Sequence, residues 1–333
     1  MCRIIGIEEI RQEEWDGLVK LSPVATWFQT REAYDFFKSL SFLETVVVAV
    51  ENAGRLKGVV VGYVQKDGGW LEKYFSRRAI IFGGPLLAND ITEQELGLLL
   101  LSLKDYLRQK AIYIETRNYN DYSIWQSVFE GYGFYYEPHY DIHVDTSTMP
   151  TVDENLGKSR KRDIRVSFRD GATIVEHPTI EQVKACYSIL KDLYQTKVKT
   201  PLFPLEFFEK LFELSSSVVL LVEYEGKIIG GTFCVGLQGK ALYEMYACGQ
   251  DGLYKNIHPS ELATYAGLKW AAENGFVKFD MMGAGKPGDG GYGVRDFKLK
   301  FGGQLLDQGR FICVCNRMLF DVGRFGVKML KKL

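Results

Sequence analysis

The chain has 333 residues, of which 46% are hydrophobic and 25% are charged. That balance is typical of packed globular proteins and excludes a disordered chain, and the length allows two domains. The formal net charge is -1, so any attraction for a polyanion must come from a local basic patch. The six cysteines are scattered without a CxxC pair, which favours free thiols in a reducing cytosol. Because we find neither a signal peptide nor an apolar run near ~20 residues, we expect a cytoplasmic protein with no integral membrane segment.

The first half of the chain alternates between helical and extended patterns. The predicted helices lie near 11–21, 30–40, 92–109 and 122–131. The predicted strands lie near 45–51, 58–65, 78–83, 111–116 and 134–145. This order indicates a mixed-sheet α/β fold.

The second half repeats the alternation. The predicted helices lie near 152–169, 179–196, 205–214, 260–273 and 293–301. The predicted strands lie near 172–176, 218–224, 228–237, 240–247, 277–281 and 305–315. The last helix spans 317–333 and carries an apolar stripe of Met318, Val322, Phe325 and Met329. This helix either docks on the body or, since its cations outnumber its one acid, makes a peripheral contact with a membrane surface.

Two internal matches indicate a duplication. The hairpin pattern that begins at Val50-Glu51 returns 172 residues later at Val222-Glu223. A helix that leads to a strand ending on Glu115 returns 165 residues later, ending on Asp280. We therefore predict two domains, 1–147 and 148–316, with a junction near Met149-Pro150 and with helix 317–333 packing on the first domain.

A basic helix start opens the second half. Its cations at helical spacing are Lys158, Arg162, Arg165 and Arg169. Four cations on one face can bind phosphates, and arginine adds forked contacts. The alternative is an ordinary solvated helix flank.

A glycine-rich segment from Gly283 to Gly293 follows the strand that ends at Asp280. It does not fit the GxxxxGK[ST] phosphate loop, because Asp280 and Pro287 stand at two required positions. A loop at the carboxyl edge of a sheet is a common place for a binding site. The segment that follows, Phe297 to Gly303, contains Lys298, which can point back into the cleft.

Polar residues alternate along the strand at 134–145. They are Glu137, His139, Asp141, His143 and Asp145. Same-face residues of one strand lie about 6.5–7 Å apart, too far to converge on one metal ion without partners from elsewhere. We expect a polar outer face and no metal. The sequence has no GxSxG or HExxH motif either, so covalent hydrolysis is not indicated.

Four segments together resemble the Fem family (FemABX), the tRNA-dependent aminoacyl transferases that build peptidoglycan bridges. They are Trp27–Lys38, Ser76–Leu86, Lys158–Arg165 and Phe279–Gly303. The resemblance implies two tandem acyltransferase domains of the GNAT fold, in a compact type without the family's helical arm. It also implies transfer of an aminoacyl group from aminoacyl-tRNA to a cell-wall precursor.

One departure concerns the donor. Acetyl-CoA-dependent GNAT enzymes hold the pyrophosphate in a Q/R-x-x-G-x-G/A loop at a helix start. The corresponding segments here, which begin at Gly249-Gln250 and Gly83-Gly84, do not fit that pattern. We therefore expect no bound cofactor and an aminoacyl-tRNA, or another acyl carrier, as donor.

Within this hypothesis the acceptor is a nucleotide- or lipid-linked precursor, and its phosphates contact Lys38 and Arg162 or Arg165. Lys298 meets the 3′ end of the donor or the oxyanion, and Asp280 either orients and deprotonates the amine or caps the next turn. The remaining candidate substrate-binding residues are Phe297, Lys300 and Tyr243. Two alternatives stay open: an N-acyltransferase using acyl-CoA or acyl-carrier protein on a sugar or amino acid, and an inactive Fem-like binding module.

Overall fold

The computed structural model describes residues 2–65, 77–198, 201–288 and 293–330, with side chains up to Gly323 in the last helix. Ser76, residues 289–292 of the glycine-rich segment, and the side chains of Phe325 and Met329 lie outside the described part. The chain forms two units: unit 1 is Met1–His139 with Gln308–Leu333, and unit 2 is Tyr140–Asp307.

Unit 1 contains a mixed sheet flanked by helices. Its strands are β1 (Cys2–Ile5), β2 (Leu43–Asn52), β3 (Arg55–Gln65), β4 (Arg78–Phe82), β5 (Leu86–Leu87), β6 (Tyr113–Arg117), β7 (Tyr135–Glu137) and β15 (Arg310–Val314). Its helices are α1 (Gln12–Leu21), α2 (Arg31–Ser39), α3 (Glu93–Leu107), α4 (Gln126–Gly131) and α11 (Arg317–Leu330). The sheet order is β1-β2-β3-β4-β6-β15-β7, and β5 pairs with β3.

Unit 2 has the same kinds of element. Its strands are β8 (Tyr140–Asp145), β9 (Thr173–Val175), β10 (Ser217–Tyr224), β11 (Lys227–Leu237), β12 (Ala241–Gly249), β13 (Lys278–Gly283) and β14 (Gln304–Asp307). Its helices are α5 (Met149–Asn155), α6 (Lys158–Arg169), α7 (Ile180–Leu193), α8 (Leu205–Phe212), α9 (Pro259–Glu273) and α10 (Gly293–Leu299). The sheet order is β14-β8-β13-β12-β11-β10-β9.

Apart from β5, which has no counterpart in unit 2, the strands of the two sheets correspond one to one in spatial order. In each sheet one central pair is parallel, β4 with β6 and β12 with β13, and the described neighbours pair antiparallel. Glu115 pairs across the parallel ladder with Ile80, as Asp280 does with Tyr243. The predicted mixed α/β fold with two GNAT-like copies is confirmed. Glu115 and Asp280 are each the third residue of their strand, however, not the last as the sequence suggested.

Each unit contains one strand that the sequence-based boundaries 1–147 and 148–316 placed in the other domain. β15, the last strand in sequence, lies between β6 and β7 of unit 1, and β8 lies between β13 and β14 of unit 2. The predicted strands 134–145 and 305–315 are therefore each split in two. Pro138 has no N–H to donate, and Gly309 has a φ of +63°, so each residue interrupts its strand. The sequence analysis divides the chain near Met149-Pro150, whereas the structure divides it at His139/Tyr140 and Asp307/Gln308.

The matching hairpins have matching turns. Ala53-Gly54 joins β2 to β3 and Glu225-Gly226 joins β10 to β11, and both residues of each turn have positive φ. Such two-residue turns fit the twist of a hairpin. The cores also correspond: valines of β2 pack with leucines of α3 in unit 1, and Leu220 of β10 packs with α9 in unit 2.

The other elements follow the predicted ones closely, with three differences. β1 and the two-residue β5 were not predicted, and the predicted helix 152–169 is interrupted at Leu156-Gly157 between α5 and α6. In its described part the last helix does not dock through the predicted stripe, because Met318 and Val322 are exposed. Leu319 and Phe320 instead pack against Ile112 and Ile312 of unit 1. Among the described residues, no helix is long and apolar enough to span a bilayer.

Candidate functional site

The candidate site lies where β12 and β13 separate in unit 2. Their parallel pairing covers Ala241–Tyr243 with Lys278–Asp280 and ends there. Just beyond this point the register of β12 against β11 shifts between Phe233 and Cys234, which marks a bulge. A bulge next to a separating strand pair opens the sheet at its carboxyl edge, where α/β folds bind ligands.

Asp280 is completely buried at this opening. Its Oδ1 accepts a hydrogen bond from the Met282 N–H at 2.9 Å, so one oxygen caps the turn in which Met282 has a φ of +55°. Its Oδ2 lies 3.1 Å from His143 Nε2 and 3.5 Å from Lys278 Nζ. Burial opposes the charge of Asp280, but His143 and Lys278 outweigh it and lower the pKa of the carboxyl group.

Asp141 and His143 of β8 complete a buried group that the sequence analysis treated as a polar outer face. Their side chains are only 3% and 13% exposed, so that expectation is wrong for these two residues. His143 pairs directly with Asp280 across the β8–β13 ladder. Burial and the Asp280 charge raise the pKa of Asp141 to about 6. Burial disfavours the imidazolium, but Asp280 and Asp141 outweigh it and raise the pKa of His143 to about 9.

Lys298 of α10 points back to the same opening, as the sequence suggested. Its Nζ donates to the main-chain carbonyls of Met281, of Met282 (3.3 Å) and of Gly283 (3.0 Å). These three bonds use the three N–H groups of an ammonium ion. Burial lowers the pKa of Lys298, while the charges of Glu244, Asp141 and Asp280 act in the opposite direction.

Glu244 of β12 is a site residue that the sequence analysis missed. It is 6% exposed, accepts a hydrogen bond from Thr232 Oγ1 at 3.2 Å, and has its pKa raised by burial. Glu244 directly follows Tyr243 at the point where the parallel pairing ends. A glutamate in an otherwise apolar strand was the available sequence signal.

The equivalent positions of unit 1 carry different chemistry. The strand registers match Asp141 to Arg310, His143 to Ile312 and Glu244 to Ile81. Lys298 matches Phe129, because each residue lies four positions before a glycine of positive φ that precedes the next strand. Phe129 is buried and stacks on Phe311 with ring centroids 4.0 Å apart. The fold is duplicated, but this group of ionisable residues belongs to unit 2.

Glu115, the counterpart of Asp280, forms a closed ion-pair group in unit 1. Arg117 Nε lies 2.9 Å from its Oε1, and the Arg310 guanidinium donates to the same oxygen. Burial raises the pKa of Glu115, but the charges of Arg117 and Arg310 outweigh it and lower the pKa to about 2. This carboxylate is neutralised by its own neighbours.

The start of α9 follows β12 and would face a pyrophosphate in a CoA-dependent enzyme. Here Asp251 occupies it: its carboxylate accepts from Ser260 N at 3.1 Å and from Ser260 Oγ at 2.5 Å. Glu261 adds a second acid in the first turn of α9. Carboxylates favour a helix start as phosphates do, so this one is already occupied by negative charge.

The basic helix α6 divides into buried and exposed cations. Arg160 is 5% exposed, pairs with Glu261, and lies over the Phe297 and Phe301 rings at 4.4 and 5.0 Å. Arg162 pairs with Asp163 at 2.9 Å but remains mostly exposed. Arg165 is exposed and has no side-chain partner among the described residues. Arg160 therefore holds α6 in place, and Arg162 and Arg165 face solvent.

The remaining predicted residues lie in three settings. Tyr243 is 1% exposed, with Lys278 Nζ 5.9 Å from its ring centre. Phe297 is half-buried beneath Arg160, whereas Lys300 is exposed. Lys38 is exposed on α2 of unit 1, 5.5 Å from the centre of the Tyr34 ring.

Arg295, which the sequence analysis also missed, fixes the described part of the glycine-rich segment. Its Nε donates to the Ala284 carbonyl and its Nη2 to the Lys286 carbonyl, both at 2.8 Å. Its guanidinium lies 4.9 Å from the centre of the Tyr140 ring. Ala284 to Lys286 are thereby held beside the carbonyls that Lys298 contacts.

Comparison with known proteins agrees with this geometry. Residues 158–298 match the family described as acetyltransferase (GNAT) domain. The matched residues lie within unit 2. A comparison with curated proteins finds no match.

Solved structures extend the likeness to both units. The crystal structure of FemX is similar with a TM-score of 0.73 and 16% identity, over 96% of this chain and 99% of that chain. L-PGS from Bacillus licheniformis has a TM-score of 0.57 at 13% identity, over 94% and 96% of the two chains. A tandem GNAT protein from the clavulanic acid biosynthesis pathway has a TM-score of 0.58 at 10% identity, over 95% of this chain and 99% of that chain. The predicted Fem-like tandem GNAT fold is thus confirmed, and at these identities the likeness is one of fold.

Proposed function

We propose that unit 2 transfers an aminoacyl group from an aminoacyl-tRNA to an amine of a phosphate-bearing acceptor, such as a nucleotide- or lipid-linked cell-wall precursor. The observation that carries the choice of donor is Asp251 at the start of α9. Its carboxylate takes the N–H group and the positive end of the helix that a CoA pyrophosphate would need. A donor without a pyrophosphate at this place meets no such repulsion.

The reaction joins the acceptor nitrogen to the ester carbonyl carbon and breaks the bond to the 3′ oxygen of the tRNA. The amine must lose a proton, and the leaving oxygen must gain one. The carbonyl oxygen becomes negative in the transition state, and a positioned cation stabilises that charge. Lys298 is our candidate for this role.

To reach the oxyanion, the Lys298 ammonium exchanges one of its three carbonyl partners for the substrate oxygen. The hydrogen bond to the Met282 carbonyl, at 3.3 Å, is the longest of the three and is therefore the most easily exchanged. Met282 already has an unfavourable positive φ, which is common where a structure must adapt to a ligand.

Glu244 is the candidate proton acceptor for the attacking amine. Its pKa is raised by burial, which makes it a better base than an exposed carboxylate. Asp280 is a poorer candidate than the sequence suggested, because Met282, His143 and Lys278 surround both of its oxygens. We assign Asp280 to the positioning of the turn and of His143.

The acceptor phosphates are assigned to Arg162 and Arg165 of unit 2, both of which are exposed. Lys38, exposed on α2 of unit 1, stays a prediction from the sequence. Arginine and lysine at such positions bind phosphates through charge-assisted hydrogen bonds. The substrate class is supported by the name of one similar structure, the C-terminal domain of a proposed lysylphosphatidylglycerol synthetase from Agrobacterium fabrum. A tRNA donor would place the enzyme in the cytoplasm, with access to a membrane-bound acceptor from the surface.

The test is mass spectrometry of acceptors after parallel incubations with charged tRNA and with acetyl-CoA. We expect an aminoacyl mass increase on an amine in the tRNA reaction only. Acetylation alone would favour the acyl-CoA alternative, which the acetyltransferase family match also allows. Absence of any transfer with intact tRNA binding would favour an inactive Fem-like module.

A further inference from the structure

Three ligand atoms from three side chains converge in unit 2 without making hydrogen bonds. They are Asp141 Oδ2, His143 Nε2 and Asp280 Oδ2. Each atom is closed off from solvent, and all three lie within 4.8 Å of one another. Buried polar atoms normally make hydrogen bonds, so three such atoms this close together, with ion pairs but no hydrogen bond, call for a ligand.

We propose that Asp141, His143 and Asp280 bind a divalent transition-metal ion. One imidazole and two carboxylates form a mixed N/O ligand set, which suits zinc and its neighbours better than calcium or magnesium. The proposal departs from our sequence-based expectation of no metal. The strand at 140–145 alone could not supply the site, because the third ligand comes from β13.

The carboxylates are fixed as metal ligands commonly are. Asp141 Oδ1 accepts from Ile142 N and Asp280 Oδ1 accepts from Met282 N, each at 2.9 Å. In each residue one oxygen is thus held by the main chain, and the other is left to point at His143. Hydrogen bonds of this kind to the outer atoms of ligands orient them toward an ion.

The spacing of the three atoms fits direct coordination. His143 Nε2 lies 3.1 Å from Asp280 Oδ2 and 3.6 Å from Asp141 Oδ2. Two ligands bound tetrahedrally at about 2.0–2.2 Å from zinc lie about 3.4 Å apart. The observed distances lie on either side of that value, and the atoms are not aligned for hydrogen bonds with one another.

Unit 1 gives an internal comparison on the same framework. There Arg310 and Ile312 stand at the positions of Asp141 and His143, and Arg310 neutralises Glu115. The second acidic group with a histidine, formed by Asp163, His258 and Glu261, is also already paired: Arg160 contacts Glu261 and Arg162 contacts Asp163. Among the described residues, only the β8–β13 group combines a histidine with buried carboxylate oxygens that accept no hydrogen bond.

Two lysines compete with the ion. Lys278 Nζ lies 3.5 Å from Asp280 Oδ2, and the charge of Lys298 acts on both aspartates. The lysine at 278 has a 21% exposed side chain and can turn away to solvent when an ion enters. The competition predicts affinity below that of a closed structural zinc site.

The test is a titration of the metal-stripped protein with Zn²⁺ by calorimetry and with Co²⁺ by visible absorption. We expect one ion per chain with a micromolar or tighter dissociation constant, and a cobalt spectrum without thiolate bands. His143→Gln and Asp141→Asn should each weaken binding about tenfold or more, since ligand loss costs at least as much as loss of an outer partner. His177→Gln, an exposed histidine outside the group, is the matched control and should bind as the wild type does.

Equal affinity in the wild type and in folded His143→Gln protein, checked by circular dichroism, would overturn the proposal, as would no binding by the wild type. Both titrations omit tRNA and acceptor, so the metal site and the proposed acyl transfer are tested separately. Transfer without zinc binding removes only the metal proposal. Zinc binding without transfer removes only the proposed function.

Discussion

At the scale of single residues, Lys298 distinguishes the two copies most clearly. Its counterpart Phe129 is buried in an aromatic stack, whereas Lys298 reaches the carbonyls at the end of β13. The two positions have the same place in the backbone, since each precedes a glycine of positive φ by four residues. The two copies therefore differ at this position in the side chain and not in the backbone.

Lys298→Met should lower kcat about 10²–10³-fold with little change in KM if Lys298 meets the oxyanion, because that contact forms only in the transition state. The measurement is steady-state aminoacyl transfer under saturating acceptor. Lys227→Met, an exposed lysine at the start of β11, is the matched control and should transfer normally. A rise in KM with unchanged kcat would place Lys298 in substrate binding instead.

Glu115 gives a pH prediction for unit 1. The pKa of Glu115 is about 2 in the folded protein against an ordinary value of 4.5, so its contribution to stability is complete above pH 4.5 and is lost as pH falls toward 2. At neutral pH, Glu115→Gln should lower the free energy of unfolding by about 3 kcal/mol, with a smaller difference in acid. Urea unfolding at pH 7 and pH 3 measures both values.

The exposed Glu130→Gln variant is the control for this series and should change little at either pH. A Glu115→Gln deficit that stays constant between pH 7 and pH 3 would mean that the loss comes from packing and not from the ion pairs.

Asp280 and Lys298 could be named as candidate site residues from the sequence, because a carboxylate in an apolar strand and a lysine between aromatic residues are recognisable in the sequence alone. It could not join Asp141 and His143 to Asp280, because that pairing depends on which strand lies next to β13. It also could not show that Asp251 occupies the start of α9, since aspartate after a strand is ordinary in a turn.

At the scale of elements, the helix–glycine–strand connections of the two copies allow a matched test. Gly302 and Gly133 have φ values of +85° and +86°. A Cβ on Gly302 would lie 2.3 Å from the Asn155 carbonyl oxygen, whereas on Gly133 it would meet only the flexible end of Lys104 at 3.2 Å. The connection before β14 is therefore much tighter than the one before β7.

Gly133→Ala should destabilise the protein by about 1–2 kcal/mol through its φ alone. Gly302→Ala should lose about 1–3 kcal/mol more, since the backbone of Asn155 must move. Thermal and urea unfolding of the two variants measure the difference. Equal losses would contradict the close contact between this connection and the end of α5.

The exposed face of α6 is the element expected to bind the acceptor. Arg162→Ala and Arg165→Ala should each raise KM for a phosphorylated acceptor about tenfold, as loss of one charged hydrogen bond of ~1.4 kcal/mol would. The effect should shrink as salt rises, because these side chains are exposed. Wild-type kinetics for both variants at low salt would show that this face is only solvated, and Lys227→Ala again serves as the control.

Element prediction failed in one systematic way. The segments 134–145 and 305–315 are each predicted as a single strand, because polar residues alternate from Glu137 to Asp145 and the run from Phe311 to Cys315 is apolar. Each continues past Pro138 or Gly309 into the other unit. A pattern of apolar residues indicates which side chains are buried, but it does not indicate in which unit's core they are buried.

At the scale of the whole molecule, two copies of one fold carry different side chains at their equivalent central positions. Unit 1 closes its central carboxylate between Arg117 and Arg310 and replaces the lysine with Phe129. Unit 2 keeps its ionisable residues where β12 and β13 separate. The duplication was predictable because hairpin turns and strand carboxylates recur in order, whereas the division of chemistry required the registers of both sheets.

The choice of donor can be measured by calorimetric titration of the full chain with acetyl-CoA, beside a titration with charged tRNA. We expect weak or undetectable binding of acetyl-CoA, because Asp251 already occupies the start of α9. We expect charged tRNA to bind, with an affinity that falls steeply as salt rises and that falls further when Lys298 and Lys300 are neutralised together. Low-micromolar association of acetyl-CoA, with no detectable binding of charged tRNA, would rule out a tRNA donor and make unit 2 an acyl-CoA-dependent transferase.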